Sequence, residues 1–509
     1  MTRSNRSLER TVLKNASANL VRLAGSGILA LLLPPFLVRL LPTATYSAWA
    51  LLLQITLYVG FLDFGIQTAV ARFVAHADEL GDSELRDGIV STAYFLLAGA
   101  AAFACLLTFV LAWQLPHVFK AMPVALSGQA RIALLLMGGS FALGLPVSVI
   151  HSLFIGQQRN EIPACLILLN RFATAAFTVG VVLHHRGLAA MGAAVAAANI
   201  LAYCSTYIAW RVWSSQVKIR LALVSKAYVK EIGSYSAALV VWFAGMLMIS
   251  GLDLSIVGVF DYAATAFYAV AATLTNFVVQ AQSAIFAALL PASAVLAARG
   301  DAQKLGSLLI SSTRYGTLIL MAMALPLILA GKLILRVWVG REYALHSLLF
   351  MQVLVVANVV RLTGLPYATL LMGTGQQKKV IFSPLAEGVT NLLVSVLGAW
   401  LVGAIGVAIG TLIGSFVSIG FHVFYNMPRT SAIAVHRAAL IKEGLLRPLM
   451  CAIPFAFLYL VYYVSPPLSF AYIALLSAVA MVATVVLLWN FGLVGSERRR
   501  LESVLRLSW

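Results

Sequence analysis

Apolar residues follow one another in this chain over runs far longer than the helices or strands of a globular core, and polar residues return in short bursts between them. About 20 predominantly apolar residues span the hydrocarbon layer of a bilayer as an α-helix. Fourteen such runs are expected. The first six are Ala16–Leu41, Tyr46–Ala71, Ile89–Ala112, Ile132–Ile155, Pro163–Leu183 and Leu188–Trp210. Tyr235–Val259, Thr265–Leu290, Leu308–Ala330, Leu345–Met372, Pro384–Val402 and Ala404–Tyr425 follow, and Pro448–Val464 and Leu468–Phe491 close the series. The fold class expected is an all-α integral membrane protein of about 14 transmembrane helices. The first run reads as a retained span, because it contains Arg22 and no small-residue cleavage site leads into a soluble domain.

The pattern repeats. Gly156-Gln157-Gln158-Arg159 after the fourth run returns as Gly375-Gln376-Gln377-Lys378 after the tenth, an offset of 219 residues. Gly81-Asp82 matches Gly300-Asp301 at that same offset, and Asn170 pairs with Asn391 two residues away from it. Gly187 and Gly192 answer to Gly403 and Gly406. The organisation expected is a six-helix lobe (residues 1–211), a basic connector (212–234), a second six-helix lobe (235–426) and a basic loop (427–447). Two further helices (448–491) and a basic tail (492–509) complete it. A unit with an even number of spans re-enters from the same side, so the lobes are expected to be related by a pseudo-two-fold axis along the membrane normal.

Composition agrees. Hydrophobic residues make up 61% of the 509 and charged residues 10%, against roughly 25% charged in a soluble domain. The net charge of +18 could suggest nucleic acid, but the cations lie in clusters between apolar runs, so no nucleic-acid partner is expected. With the N-terminus inside, 24 of the 35 Lys and Arg fall in inside segments, 7 in outside loops and 4 within spans. That bias predicts cytoplasmic termini. The two longest connections, Arg211–Ser234 and Asn426–Arg447, are basic and are expected to lie along the anionic inner leaflet.

Apart from Arg39, which ends the first run and counts as outside, seven ionisable residues besides histidine fall inside the runs: Arg22, Asp63, Arg171, Asp253, Arg314, Arg361 and Glu387. Such residues are costly in a bilayer and face the bundle interior or water. Four arginines against three acids predict a cationic cavity. Arginine suits phosphate, since its planar fork donates two parallel hydrogen bonds and keeps its charge when desolvated. Depth favours Arg361 and Arg171 for that role. Arg22 and Arg314 are shallower and could instead pair or snorkel, Arg22 with Asp63. Asp63 is either a proton or sodium site or a tie between helices. Asp253 is a weaker candidate for ion coupling, expected near the outer end where water reaches it. Glu387, after Pro384, reads as an acid complementing the helix dipole. Prolines 34, 35, 146, 326 and 366 mark kinks. Cys105, Cys165, Cys204 and Cys451 read as packing residues, and His184-His185 lacks a ligand set, so neither a metal nor a cofactor is expected.

Tyr46-Ser47-Ala48-Trp49, Asp63-Phe64-Gly65, Arg72, Asp253, Tyr268 and the two Gly-Gln-Gln turns, set in this span pattern, resemble the multidrug/oligosaccharidyl-lipid/polysaccharide (MOP) exporter superfamily. The chain is most similar to its polysaccharide branch, the O-antigen and exopolysaccharide repeat-unit flippases. That resemblance implies a V-shaped, two-lobed transporter of the bacterial inner membrane, working by alternating access. It also implies an undecaprenyl-diphosphate-linked oligosaccharide as cargo, with the pathway's polymerase and glycosyltransferases as partners. A peptidoglycan-precursor flippase shares the architecture, and a cation-coupled multidrug exporter calls for a more acidic cavity. A membrane-embedded polymerase would need a larger outer loop or a carboxylate pair.

Overall fold

The computed structural model describes residues 3–380, 382–430, 432–464, 470–493 and 498. Every regular element among them is helical. The first half comprises α1 (Arg3–Leu40), α2 (Thr43–Gly60), α3 (Ile66–Leu80), α4 (Ser83–Val118), α5 (Val124–Gly156), α6 (Glu161–Leu183) and α7 (Leu188–Trp213). The second begins with α8 (Lys226–Met246), α9 (Asp253–Phe260), α10 (Thr265–Phe286), α11 (Leu289–Ala298) and α12 (Ala302–Leu329). It continues with α13 (Gly331–Trp338), α14 (Arg341–His346), α15 (Leu348–Leu362), α16 (Leu365–Gly373), α17 (Phe382–Val402) and α18 (Ala404–Gly420). Two apolar helices, Ile453–Val464 and Phe470–Leu487, come last.

Eleven helical runs among the described residues are long and apolar enough to cross a membrane. They fall on the expected spans except the seventh, thirteenth and fourteenth. The seventh is broken by a π-helical turn over Leu247–Gly251. The thirteenth has only 12 residues of regular helix, and Leu468, where the sequence pattern starts the fourteenth, lies outside the described residues. The second span is also interrupted: a 3₁₀ turn over Phe61–Asp63 ends in Phe64 and Gly65, both left-handed at φ 52° and 75°.

Packing is duplicated as the repeat predicts. In the first half α3 packs on α4 and α5, α5 on α2 and α7, and α6 on α7. In the second, α11 packs on α12 and α16, α15 on α10 and α18, and α17 on α18. The repeated Gly-Asp pair makes the same joint twice. Gly81 (φ 69°) and Gly300 (φ 67°) end one helix, and the carboxylates of Asp82 and Asp301 cap the next by accepting from the backbone N–H of Leu85 and Lys304 at 2.9 and 3.0 Å. The Gly-Gln-Gln turns differ. Gly375 supplies the left-handed residue in one (φ 70°), whereas Gln158 does so in the other (φ 59°). Gly156 stays helical and is small because its backbone lies against α3, where an added Cβ would sit 2.8 Å from the Ala71 carbonyl oxygen.

Neither long connection simply lies on a leaflet. Val217 and Ile232 are buried in a cluster with Ile89, Val90 and Val74, since apolar side chains recurring within the connector pack into the groove between α3 and α4. The loop after α18 likewise buries Ile433 and Leu440 against Leu305 and Leu309 of α12.

At one end of the bundle both halves share a single apolar core, with Trp49 and Leu37 meeting Val257, Tyr268, Leu335 and Val407. At the other end the halves keep separate clusters, one around Val74 and Leu153 and one around Leu309 and Leu370. The joined end carries the connections poor in Lys and Arg. In a background without the four native cysteines, Lys120→Cys at that end is expected to react with an impermeant maleimide in intact cells, and Asp82→Cys only after permeabilisation. The reverse labelling would invert the orientation read from charge.

Candidate functional site

Where the two halves meet, α1, α2, α9, α10, α15 and α18 enclose a cavity of about 310 Å³. Its walls are mostly apolar, with Tyr46, Trp49 and Gln54 from α2 facing Asp253 and Arg361 from the second half. Arg361 stands in the last turn of α15, where the helix dipole favours a cation, and its Nη2 donates to Asn358 Oδ1 at 3.1 Å. Asp253 opens α9 directly after the π-turn and is only 7% exposed. The sequence suggests that water reaches it, but the Tyr268 hydroxyl and Thr411 Oγ1 cover Oδ2, donating at 3.3 and 3.1 Å. Its Oδ1 is shielded and has no hydrogen-bond partner among the described residues.

Arg361 also borders a second cavity, of about 200 Å³, which continues past it along α16 and is lined as well by α10, α17 and α18. Glu387 lines it, 6% exposed, with Oε1 unpartnered among the described residues. The reading of Glu387 as a first-turn acid fails by one turn, since α17 starts at Phe382 and the carboxyl lies inside the lobe. Arg361 therefore sits between two buried carboxyl groups.

The other arginines are placed elsewhere. Arg171, exposed on α6, and Arg22 on α1 lie close enough to act electrostatically on each other along the α1–α6 seam. Neither lines a described cavity. Arg314 is buried in α12, its guanidinium 5.5 Å from the Tyr315 ring centre, where α12 packs on Leu440–Leu446. Asp63 is half-buried at the break in the second span and lines a separate small cavity with Phe64. Its Oδ1 accepts from the Gln67 backbone N–H at 3.2 Å, which caps α3. No ion pair joins it to Arg22 among the described residues.

Sequence reading missed the bonds that hold the halves together. Gln54 Nε2 and the Tyr58 hydroxyl both donate to the Gly251 carbonyl, at 2.7 and 2.6 Å. Tyr262 donates to the Ala44 carbonyl at 2.7 Å, and Ser47 accepts from the Ala266 N–H at 3.2 Å. At the rim Arg39 donates to Val337 and Trp338 carbonyls, while Trp338 Nε1 donates to that of Leu31. The available clue was Gln54 itself, a lone amide in Leu51-Leu52-Leu53-Gln54-Ile55. A polar group in hydrocarbon needs a partner on another helix.

Comparison with known proteins agrees with this arrangement. A search of curated proteins finds no match. Among solved structures, the lipid II flippase MurJ in an inward closed conformation superposes with a TM-score of 0.72 at 12% identity, covering 94% of this chain and 98% of that one. An inward-facing multidrug resistance MATE family transporter of the MOP superfamily gives 0.67 at 16% identity, over 81% and 98%. A MOP transporter from Pyrococcus furiosus, described as having a binding pocket of reverse polarity, gives 0.58 at 13%, over 83% and 94%. These likenesses carry the fold, and a family model described as polysaccharide biosynthesis protein matches residues 12–297. On that match the chain belongs to the polysaccharide biosynthesis protein family, built on the fold of the MOP-superfamily transporters.

Proposed function

We propose that this protein moves a lipid-linked anionic oligosaccharide across the bacterial inner membrane, as an undecaprenyl-diphosphate repeat-unit flippase of surface polysaccharide biosynthesis. The observation that carries the reading is Arg361, a cation on the wall of an otherwise mostly apolar cavity shared by both halves. A permanently charged fork in such a place suits a diphosphate, which must shed water to cross. Arg171 and Arg22 on their seam offer a second cationic stop, reached before the cavity when the halves part. Arg314, packed into the second lobe, is better suited to holding that lobe on the loop after α18. With termini in the cytoplasm, the joined end faces outward and the separated end admits cargo from the inner leaflet. The pathway's glycosyltransferases and polymerase would work before and after this step.

The test is a host whose own repeat-unit flippase is deleted. Expression of this protein together with a matching repeat-unit pathway is expected to restore surface polymer. Loss of polymer with a gain in drug tolerance would favour the multidrug reading, and rescue of a host lacking its lipid II flippase would favour the peptidoglycan reading. In the same host Asp63→Asn is expected to fold, because an amide oxygen can still accept from Gln67. If Asp63 exchanges a proton or sodium ion, that variant transports without response to the ion gradient. An unchanged response would assign Asp63 to capping α3.

A further inference from the structure

Apart from Arg361, the polar side chains of the second cavity have no part in the reading above. It runs from Arg361 past Glu387 to Ser418, His422 and Asn426, at the end where the lobes separate. Ser418, His422 and Asn426 are spaced by four residues, about 6 Å per step along a helix, so they form one stripe. The stripe continues to Thr430, whose hydroxyl meets that of Tyr367 at 2.7 Å. Here α18 widens into a π-turn over Phe421–Asn426, a distortion frequent at functional sites. Gly364 leaves room for the imidazole, since an added Cβ would lie 2.7 Å from His422 Cδ2.

Two buried acceptors lining this cavity lack partners among the described residues, Glu387 Oε1 and Asn426 Oδ1. Asn426 is fully buried with Nδ2 2.9 Å from His422 Nδ1. By turning its amide it can offer either an N–H or an oxygen to that nitrogen, so it suits both ring tautomers. Beside this stripe the cavity of about 200 Å³, elsewhere lined by apolar side chains, has room for several water molecules against the polar groups.

We propose that Glu387 is a proton-binding site, served by His422 and water from the end where the lobes part, and that its protonation frees Arg361 from Glu387. With Nδ1 held by Asn426, the proton from the inner side binds His422 Nε2, the imidazolium gives it to water, and that water passes one to Glu387 Oε1. One proton enters and an O–H bond forms. While ionised, Glu387 draws the guanidinium towards the second cavity. Once neutral, it leaves Arg361 to the first cavity and its anionic cargo. Charged and titratable neighbours are few. Arg361 faces Glu387 from α15 and His422 from the π-turn, while α18 contributes Ser415 and Ser418. Asp253 lines the other cavity, beyond Arg361. On α8, which also packs on α17, Lys226, Tyr228, Lys230, Glu231 and Tyr235 line neither cavity.

The proton site stands on geometry alone; only the role of the freed Arg361 rests on the flippase reading. The purified full chain in lipid is titrated by infrared difference spectroscopy. A protonated-carboxyl band is expected that Glu387→Gln removes, that Glu387→Asp retains at a shifted frequency, and that survives Asp63→Asn and Asp253→Asn. His422→Gln is expected to slow its appearance after a pH jump by about a hundredfold or more. A band unaltered by Glu387→Gln in a folded protein overturns the proposal, and an unchanged rate in His422→Gln overturns the route. In the complemented host Glu387→Gln should move polymer with a flattened pH profile. If the wild type restores no polymer while the band behaves as stated, the flippase reading fails and the proton site stands.

Discussion

An Arg361→Ala protein is expected to reach the membrane in normal amount and to restore almost no surface polymer. The side chain is half-buried and its one recorded hydrogen bond is to Asn358 on its own helix, so truncation leaves the packing of α15 largely intact. What it removes is the cation between Asp253 and Glu387. A hydrogen bond donated by a charged group to a phosphate oxygen contributes about 1.5–3 kcal/mol, which is roughly a tenfold to hundredfold loss in affinity. The two buried carboxyl groups would also lose the positive charge that allows either to ionise, so cargo binding and proton exchange fail together. Arg361→Lys keeps the charge without the fork and should transport weakly. The readout is complementation with expression checked by blot. Full polymer from Arg361→Ala would end the cationic-cavity mechanism, and full polymer from Arg171→Ala would end the role given to the α1–α6 seam.

The largest effect on stability is expected at Gly406. It packs backbone to backbone with Gly398 across the α17–α18 pair, and a Cβ on Gly406 would collide with the Gly398 carbonyl group. Next to them, Gly410 meets Ser395 and Gly414 meets Asn391. Small residues at such a seam let two membrane helices approach closely. A flexible neighbour could give way, but main chain cannot. Gly406→Ala must therefore part the helices, at or above the upper end of the about 1–3 kcal/mol usual for overpacking. The variant is expected to be lost from the membrane fraction or to aggregate in detergent. Gly99→Ala, where an added Cβ meets nothing within 4 Å, should accumulate normally and serves as the control.

Much of this fold is legible in the sequence because bilayer thickness imposes one length on every span. The repeat was legible too, since a left-handed Gly followed by a capping Asp is a local device that keeps its residues. The breaks were not. Leu247-Met248-Ile249-Ser250-Gly251 is as apolar as an unbroken helix, and what distorts it is set by neighbours that periodicity does not reveal. Of the two arginines chosen by depth, Arg361 lies on a cavity wall, while Arg171 lies on the seam with Arg22. Depth fixes how far a residue is from water but not which way it points. Glu387 was misread because nearness to Pro384 suggested a helix start, and the acid's direction depends on where α15 and α18 lie.

The break at Gly251 also limits how the two halves can move apart. A carbonyl oxygen has two lone pairs, and at Gly251 both are engaged by the opposite half, one by Gln54 and one by Tyr58. In an unbroken α-helix that oxygen would instead accept the amide of Ser255. The oxygen cannot serve all three donors. Straightening the seventh span and holding the halves together thus compete for a single atom, and any motion that heals the helix also disengages its neighbour. Since the contested group is main chain, substitution at residue 251 alone would not remove the competition. Evolution can retune it only through the residues that donate to that oxygen or through those that keep the helix bent.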